Sequence, residues 1–213
     1  MDDLSLHQAV EALQSILTPL TVGEFAEKIG KVSVYIGSIE KSWKGHSSSL
    51  ESAAKQTDPE KRENALDLGI RSFKTSAQNS ARFAKMNLDQ AMSQALKTLV
   101  RKPMKTNKVD EKRKIDALLR WFDQVPDPTG QMINHFKATS NPLDKYLVAG
   151  PWGHEYLRKR GINTEAFDRE ICQALECGDS AASRLVLSYG SLNRAIEEVE
   201  GAALRSLDAY SPR

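Results

Sequence analysis

The chain has 213 residues, of which 40% are hydrophobic and 27% are charged, a balance typical of a globular protein and unlike that of a disordered one. Only 7% of the residues are aromatic, and the abundance of Ala, Leu, Lys, Glu, Gln and Ser favours helix over sheet. The net charge is +2, the two cysteines are too few for a secreted disulfide framework, and no apolar run reaches the length of about 20 residues that a membrane span needs.

The predicted elements at the N-terminus are short helices. A capping box formed by Ser5 and Gln8 opens the first, which ends before Pro19. A second capping box over 21–24 opens a helix that Gly30 breaks, and another helix over 32–39 and a loop over 45–49 follow.

Residues 21–41 also form a recognisable local pattern. A small residue, Ala26, lies inside the first helix, Gly30 stands at the turn, and Ile36 and Ile39 hold the second helix. This pattern resembles the repressor-type helix-turn-helix. The resemblance implies a regulator that docks its second helix on duplex DNA.

The clearest element is one long helix. Asp58 is an N-cap followed by Pro59 at the first helical position, and apolar residues then recur every three or four positions as far as Leu99. A helix over 59–101 would be about 60 Å long. We therefore predict an all-α protein, a helical bundle organised around one long central helix (about 59–101) with shorter helices at both ends.

The second half is predicted to begin with a basic connector over 103–114. It joins an N-terminal helical region, 1–102, to a C-terminal helical region, 115–213, as two domains or as parts of one. The C-terminal helices include one from Ile115 to Phe122, others opened by Asn141 and Thr164, and a last one that begins at 190–191.

Residue patterns for catalysis or metal binding are lacking. None of the four histidines has a carboxylate or a second histidine at metal-ligand spacing, and there is no phosphate-binding glycine loop. The Ser-x-x-Lys pairs at 38–41 and 52–55 are short enough to arise by chance. Cys172 and Cys177, five apart in a predicted helix, are expected to point to different faces as ordinary packing thiols. We predict a protein that is not an enzyme and has no cofactor.

The charge is distributed unevenly along the chain. The net charge of Lys and Arg against Asp and Glu is −4 over residues 1–60, +10 over 61–162 and −4 over 163–213. A strongly basic middle between acidic ends indicates a polyanionic partner for the middle.

Three basic features lie in this middle segment. The first is a row on one face of the long helix, the second is a lysine-rich stretch, and the third mixes aromatic rings with cations as single-stranded nucleic acid requires. The first comprises Arg71, Lys74, Arg82 and Lys85; the second Lys97, Arg101, Lys102, Lys105, Lys108, Lys112, Arg113 and Lys114; the third Tyr146, Trp152, Tyr156, Arg158, Lys159 and Arg160.

These features predict a non-enzymatic protein that binds the backbone of single-stranded RNA or DNA, as in packaging, nucleocapsid-like or polymerase-accessory roles, and that self-associates as a homo-oligomer. One alternative is a helical interaction or scaffolding protein with an acidic protein surface as its partner. The other alternative is the helix-turn-helix regulator. The acidic N-terminus and the lack of an apolar span predict a cytoplasmic location, or a nuclear one in a eukaryotic host.

Overall fold

The computed structural model describes residues 5–100 and 108–210 and, within them, every side chain except those of residues 108 and 110. All regular structure in this described part is helical, which confirms the predicted all-α class. The α-helices are α1 (Leu6–Leu17), α2 (Ala26–Ala54), α3 (Pro59–Val100), α4 (Lys108–Phe122), α5 (Pro128–Ala138), α6 (Pro142–Ala149), α7 (Pro151–Arg158), α8 (Glu165–Ala174) and α9 (Ala181–Arg205). None of these described helices is long and apolar enough to cross a membrane.

The predicted long helix is confirmed as α3. It has 42 residues, which corresponds to about 63 Å. Asp58 caps it through Oδ1, which accepts the backbone N–H groups of Glu60 and Lys61 at 3.1 and 3.2 Å. Its inward stripe is fully buried and consists of Phe73, Ala77, Ala81, Ala84, Leu88, Ala91, Met92, Ala95 and Leu96.

The chain forms two compact units, one of which comprises Met1–Thr21, Ala26–Leu88 and Leu192–Arg213. The predicted capping box at the start of α1 is confirmed, with Ser5 and Gln8 bonded reciprocally. α2 and α3 run antiparallel, and small polar side chains hydrogen-bond across them at one-turn intervals. These pairs are Ser38 with Ser80 at 3.0 Å, Ser42 with Ser76 at 3.2 Å and His46 with Ser72 at 3.2 Å.

α2 corrects the prediction for the N-terminal third. It continues through Gly30 and through residues 45–49, so the predicted break and the predicted loop are both wrong. Four of its apolar side chains are fully buried, and burial of each stabilises the helix by about 1.5–3 kcal/mol, more than the cost of about 1 kcal/mol for a helical glycine. They are Ile29, Val32, Ile36 and Ile39. The helix-turn-helix resemblance fails as well, because the turn that it requires is helical.

The other unit comprises Val22–Phe25 and Asp89–Ser191 and contains α4 to α8. Asn141 caps α6 as predicted, with its side chain accepting the Leu143 N–H at 2.9 Å. α6 and α7 meet at a tight corner. A Cβ on Gly153 would lie 1.8 Å from the Val148 carbonyl oxygen, so the corner depends on glycine.

The core of this unit includes a polar cluster centred on Asp168, which is 0% exposed. One carboxylate oxygen contacts Nε2 of the buried His154, and the other accepts the Gly190 N–H at 3.0 Å. A Cβ on Gly190 would lie 2.3 Å from Thr164 Oγ1. Gly190 is therefore an interior position of α9 where two helices approach closely, and the prediction that the last helix begins at 190–191 is wrong.

Two further predictions are corrected in this unit. α4 begins at Lys108, so the predicted connector is helical over 108–114. α8 ends at Ala174, before the second cysteine, so Cys172 and Cys177 do not lie on one helix with different facings.

Candidate nucleic-acid interface

The predicted cation row on α3 is half neutralised. The Arg71 guanidinium forms a bidentate pair with Asp67 at 2.8 and 2.9 Å, and the Lys85 ammonium lies 2.7 Å from a carboxylate oxygen of Glu197. Lys74 and Arg82 are exposed and have no carboxylate within ion-pair distance in the described part of the chain. They are eight residues apart on the helix, which corresponds to about 12 Å. Two separated cations do not form the continuous row that the spacing predicted.

The lysine-rich stretch is divided in the same way. Lys97 is exposed and lies 6.0 Å from the centre of the Tyr146 ring. Lys114 turns inward, with its ammonium 3.1 Å from the buried carboxylate of Asp144. Lys112 and Arg113 are exposed on α4 and, among the described residues, have no carboxylate partner. Arg101, Lys102 and Lys105 lie outside the described residues, as does the side chain of Lys108.

The third feature does not form an open aromatic surface. Tyr156 is only 4% exposed, its hydroxyl donates to Asp123 at 3.0 Å, and the Arg160 guanidinium covers its ring at 3.7 Å. Burial, and then the hydrogen bond to Asp123, raise the pKa of Tyr156 to about 12. The ring of Tyr156 is therefore unavailable to a base, which corrects its assignment to the binding surface.

The cations beside Tyr156 are also paired. Arg160 contacts Asp123, and Arg158 contacts Glu155. Lys159 lies 3.4 Å from the same Glu155 carboxylate. Trp152 is half-buried, and its ring lies 5.8 Å from that of Tyr156. Two carboxylates offset two of the three positive charges, so this segment offers a net charge of only +1 to a polyanion.

The structure places two of the predicted cations, Lys112 and Arg113, on the exposed side of α4 together with Arg120, which the sequence prediction missed. Lys112, Arg113 and Arg120 are exposed there, and none of them has a carboxylate partner among the described residues. Arg113 and Arg120 are seven residues, two turns, apart and so share a face. Asp116 is the acidic residue on this part of the helix, and its carboxylate is exposed and makes no ion pair within the described residues. Three cations against one carboxylate leave this part of α4 with a net positive charge, and no carboxylate of the described residues pairs with those cations.

An aromatic residue, Trp121, directly follows Arg120 on α4. Trp121 is 42% exposed although it is a large apolar side chain. Its ring is stacked on Phe122 at 5.0 Å and meets the edge of His135 at 4.9 Å. These contacts hold the ring in place and leave part of its surface to solvent. We call the set of Lys112, Arg113, Arg120 and Trp121 the α4 surface.

A spacing signal for the α4 surface was present in the sequence. Arg113 and Arg120 follow the helical period directly after the lysine-rich stretch, and Trp121 is the next residue. The prediction treated 103–114 as a connector and began the next helix at Ile115, and this boundary separated Arg113 from Arg120, which continues its face. Treating 108–122 as one helix would have joined them.

Two histidine–aspartate pairs lie elsewhere in the same unit. His154 and Asp168 are both buried, and the partially buried His135 lies 3.3 Å from Asp144. Both pairs join residues that are distant in sequence, so a search for local spacing missed them. Across the described residues, no group of three or more His, Cys, Asp or Glu side chains is arranged to hold a metal ion.

Comparisons with protein-family models, with curated proteins and with solved structures found no match to this chain.

Proposed function

We propose that this chain is a non-enzymatic nucleic-acid-binding protein that holds the backbone of single-stranded RNA or DNA on the α4 surface. The observation that carries the proposal is the combination of three exposed cations without carboxylate partners in the described residues and one exposed indole ring on a single helix. Cations on such a surface bind phosphates, and an exposed ring stacks on a base without reading its sequence.

The number of phosphates and bases that the α4 surface can contact determines how much it contributes to the affinity. From Lys112 to Arg120 the helix rises about 12 Å, enough for a few phosphates of an extended strand. Three neutralised phosphates on a single strand give a slope of about −2 in a plot of log affinity against log salt concentration. Stacking of one base on Trp121 contributes about 1–3 kcal/mol, which corresponds to about 5–150-fold in affinity.

The test uses fluorescence anisotropy of a labelled single-stranded oligonucleotide at low salt. The variant Lys112→Glu/Arg113→Glu is expected to weaken binding at least tenfold, since two cations become like charges of the phosphates. Lys61→Glu/Arg62→Glu is the matched control, because it changes another exposed Lys-Arg pair on a helix by the same total charge. The control is expected to bind within about twofold of the unaltered chain.

Three outcomes of this assay would each contradict binding at the α4 surface. If the unaltered chain does not raise the anisotropy of the oligonucleotide at low salt, the proposal is wrong. Equal losses in both variants would mean that net charge, and not the α4 surface, governs binding. A selective loss on changing Lys74 and Arg82 to Glu would move the binding site to α3.

A second candidate function, a helical interaction or scaffolding protein, is favoured by a different observation. Three large apolar side chains are exposed on α3, where a partner helix or a second copy of the chain would cover them. They are Leu68, Phe83 and Met86. Self-association of nucleic-acid-free protein in sedimentation equilibrium, lost on Leu68→Gln/Met86→Gln, supports this function. A monomer at all concentrations argues against it.

A further inference from the structure

The C-terminus of α8 ends in a complete Schellman motif. The Glu176 N–H donates to the Gln173 carbonyl oxygen, and the Cys177 N–H donates to the Cys172 carbonyl oxygen, both at 3.0 Å. Glu176 has a φ of +50° and so supplies the left-handed residue that reverses the chain. The second of these bonds reaches five residues back, from the residue after the reversal to the third-last helical position.

This motif brings two particular side chains together. In a Schellman motif the residue after the left-handed position contacts the residue five before it. In this chain both residues are cysteines. A continuous helix would have separated them by more than a quarter-turn, but the reversal at Glu176 returns Cys177 to the side of Cys172.

The two thiols differ in their surroundings. Cys172 is buried, with its sulfur 3.9 Å from the Ser183 carbonyl oxygen, whereas Cys177 is partly exposed. Burial, and then the hydrogen bond to the adjacent Cys177 thiol, raise the pKa of the Cys172 thiol to about 12. Both thiols are free in this structure.

We propose that Cys172 and Cys177 are a reversible oxidation site that forms an intramolecular disulfide across the end of α8. The backbone bond between the two residues holds their Cα atoms within the short separation that a disulfide spans, so rotation of the two side chains brings the sulfurs together. The site is independent of nucleic-acid binding and does not rest on the proposed function.

The oxidant that fits this site is a small hydroperoxide, because it reaches the partly exposed Cys177. The Cys177 thiolate attacks a peroxide oxygen, so that an S–O bond forms, the O–O bond breaks and hydroxide leaves to become water. Cys172 then attacks the sulfur of the resulting sulfenic acid. The S–S bond forms, the S–O bond breaks, and the Cys172 proton leaves with the departing oxygen as a second water. Two thiols lose two electrons and two protons, and the peroxide is reduced to two waters.

The test treats the full-length chain with hydrogen peroxide, quenches it, alkylates the remaining thiols and measures the intact mass. The expected product lacks two hydrogens, carries no alkyl group and runs as a monomer without reductant. Peptide mapping is expected to show Cys172 linked to Cys177, and dithiothreitol is expected to restore both alkylation sites.

Two variants control for the geometry. Cys177→Ser leaves the buried thiol alone and is expected to give no disulfide and one alkylated thiol, with or without peroxide. Cys172→Ala/Gln173→Cys keeps two thiols but moves one by a single helical position, away from the contact that the motif makes. It is expected to lose the rapid intramolecular product.

Three results would overturn the inference. They are two alkylated thiols in the peroxide-treated native chain, a product that is mainly an intermolecular dimer, and equally fast disulfide formation in the displaced-cysteine variant. A near-native circular dichroism spectrum for each variant excludes misfolding as the cause.

Discussion

The buried cluster around Asp168 gives the sharpest test of the fold. Its carboxylate has two partners, the His154 ring and the Gly190 N–H, and no exposure to water. On its other side the His154 ring lies 3.0 Å from the Gly150 carbonyl oxygen, which only accepts hydrogen bonds. Nδ1 therefore carries a proton and donates it to the Gly150 oxygen. The contact between Nε2 and Asp168 is a hydrogen bond only if it holds a second proton, on either the ring or the carboxyl group.

This proton arrangement distinguishes two substitutions at the same position. Asp168→Ala removes one member of a buried pair and also leaves the Gly190 N–H without its acceptor, so we expect a loss of about 3–5 kcal/mol in the free energy of unfolding. Asp168→Asn keeps the shape and both bonds, because its amide oxygen accepts from Gly190 and its amide N–H donates to Nε2 of a neutral His154. We expect a loss of no more than about 1 kcal/mol.

The assay is urea unfolding followed by tryptophan fluorescence in a Trp43→Phe background. The two remaining tryptophans, Trp121 and Trp152, then both report on the unit that contains Asp168. Asp179→Ala serves as a control, because it removes a carboxylate from an exposed ion pair with Arg184 and is expected to cost less than about 1 kcal/mol. If Asp168→Asn proves as destabilising as Asp168→Ala, the hydrogen-bond reasoning is refuted and the carboxylate charge itself is required.

Two further predictions concern single residues. Glu176→Gly is expected to raise the free energy of unfolding by about 0.5–1 kcal/mol, because glycine adopts the positive φ at this position without steric cost; an unchanged urea midpoint would count against that strain. The raised pKa of Tyr156 stabilises the folded chain at pH values below its ordinary pKa of 10.0, and this contribution is lost as the pH rises towards about 12. In an alkaline spectrophotometric titration Tyr156→Phe is therefore expected to remove a tyrosine that ionises well above pH 10, and removal of one that ionises near pH 10 would contradict the assigned hydrogen bond.

The parts of the fold that local signals determine were predicted well. The bounds of α3 followed from an N-cap, an N1 proline and a long apolar period, and the cap of α6 followed from Asn141 and its proline. Each of these signals involves residues within one or two turns. The helical class followed from composition and period for the same reason.

The errors arose where distant residues decide the outcome. Glycine at position 30 or 190 reads as a helix end in the sequence, because the cost of helical glycine is local and visible there. The compensating gain in free energy comes from residues distant in sequence and is not visible there. Around Gly30 it is burial of the apolar face of α2, and at Gly190 it is the close approach of Thr164 and Asp168. At the end of α8 the error was the opposite: the helix was predicted to include Cys177, because no glycine marks the reversal that Glu176 makes in the left-handed conformation.

The α4 surface that we propose differs from the predicted cation row for an electrostatic reason. Counting charges along the chain identified a basic middle segment, and helical spacing correctly placed four cations on one face of α3. Neither step detects the partner of a cation. Glu197, which pairs with Lys85, lies 112 residues away, and Asp144, which pairs with Lys114, lies on another helix.

The uncompensated charge, and not the total charge, determines which surface attracts a polyanion. A cation already paired with a carboxylate must exchange that partner for a phosphate, so the gain in free energy is only the difference between two similar contacts. An exposed cation without such a partner exchanges only water and small ions, whose release favours binding. In the four-residue row on α3, two separated cations remain without a carboxylate partner, whereas on α4 three remain, and an exposed ring adjoins the last of them in sequence. The same +10 segment is therefore expected to bind through α4, where the structure leaves the positive charge unpaired.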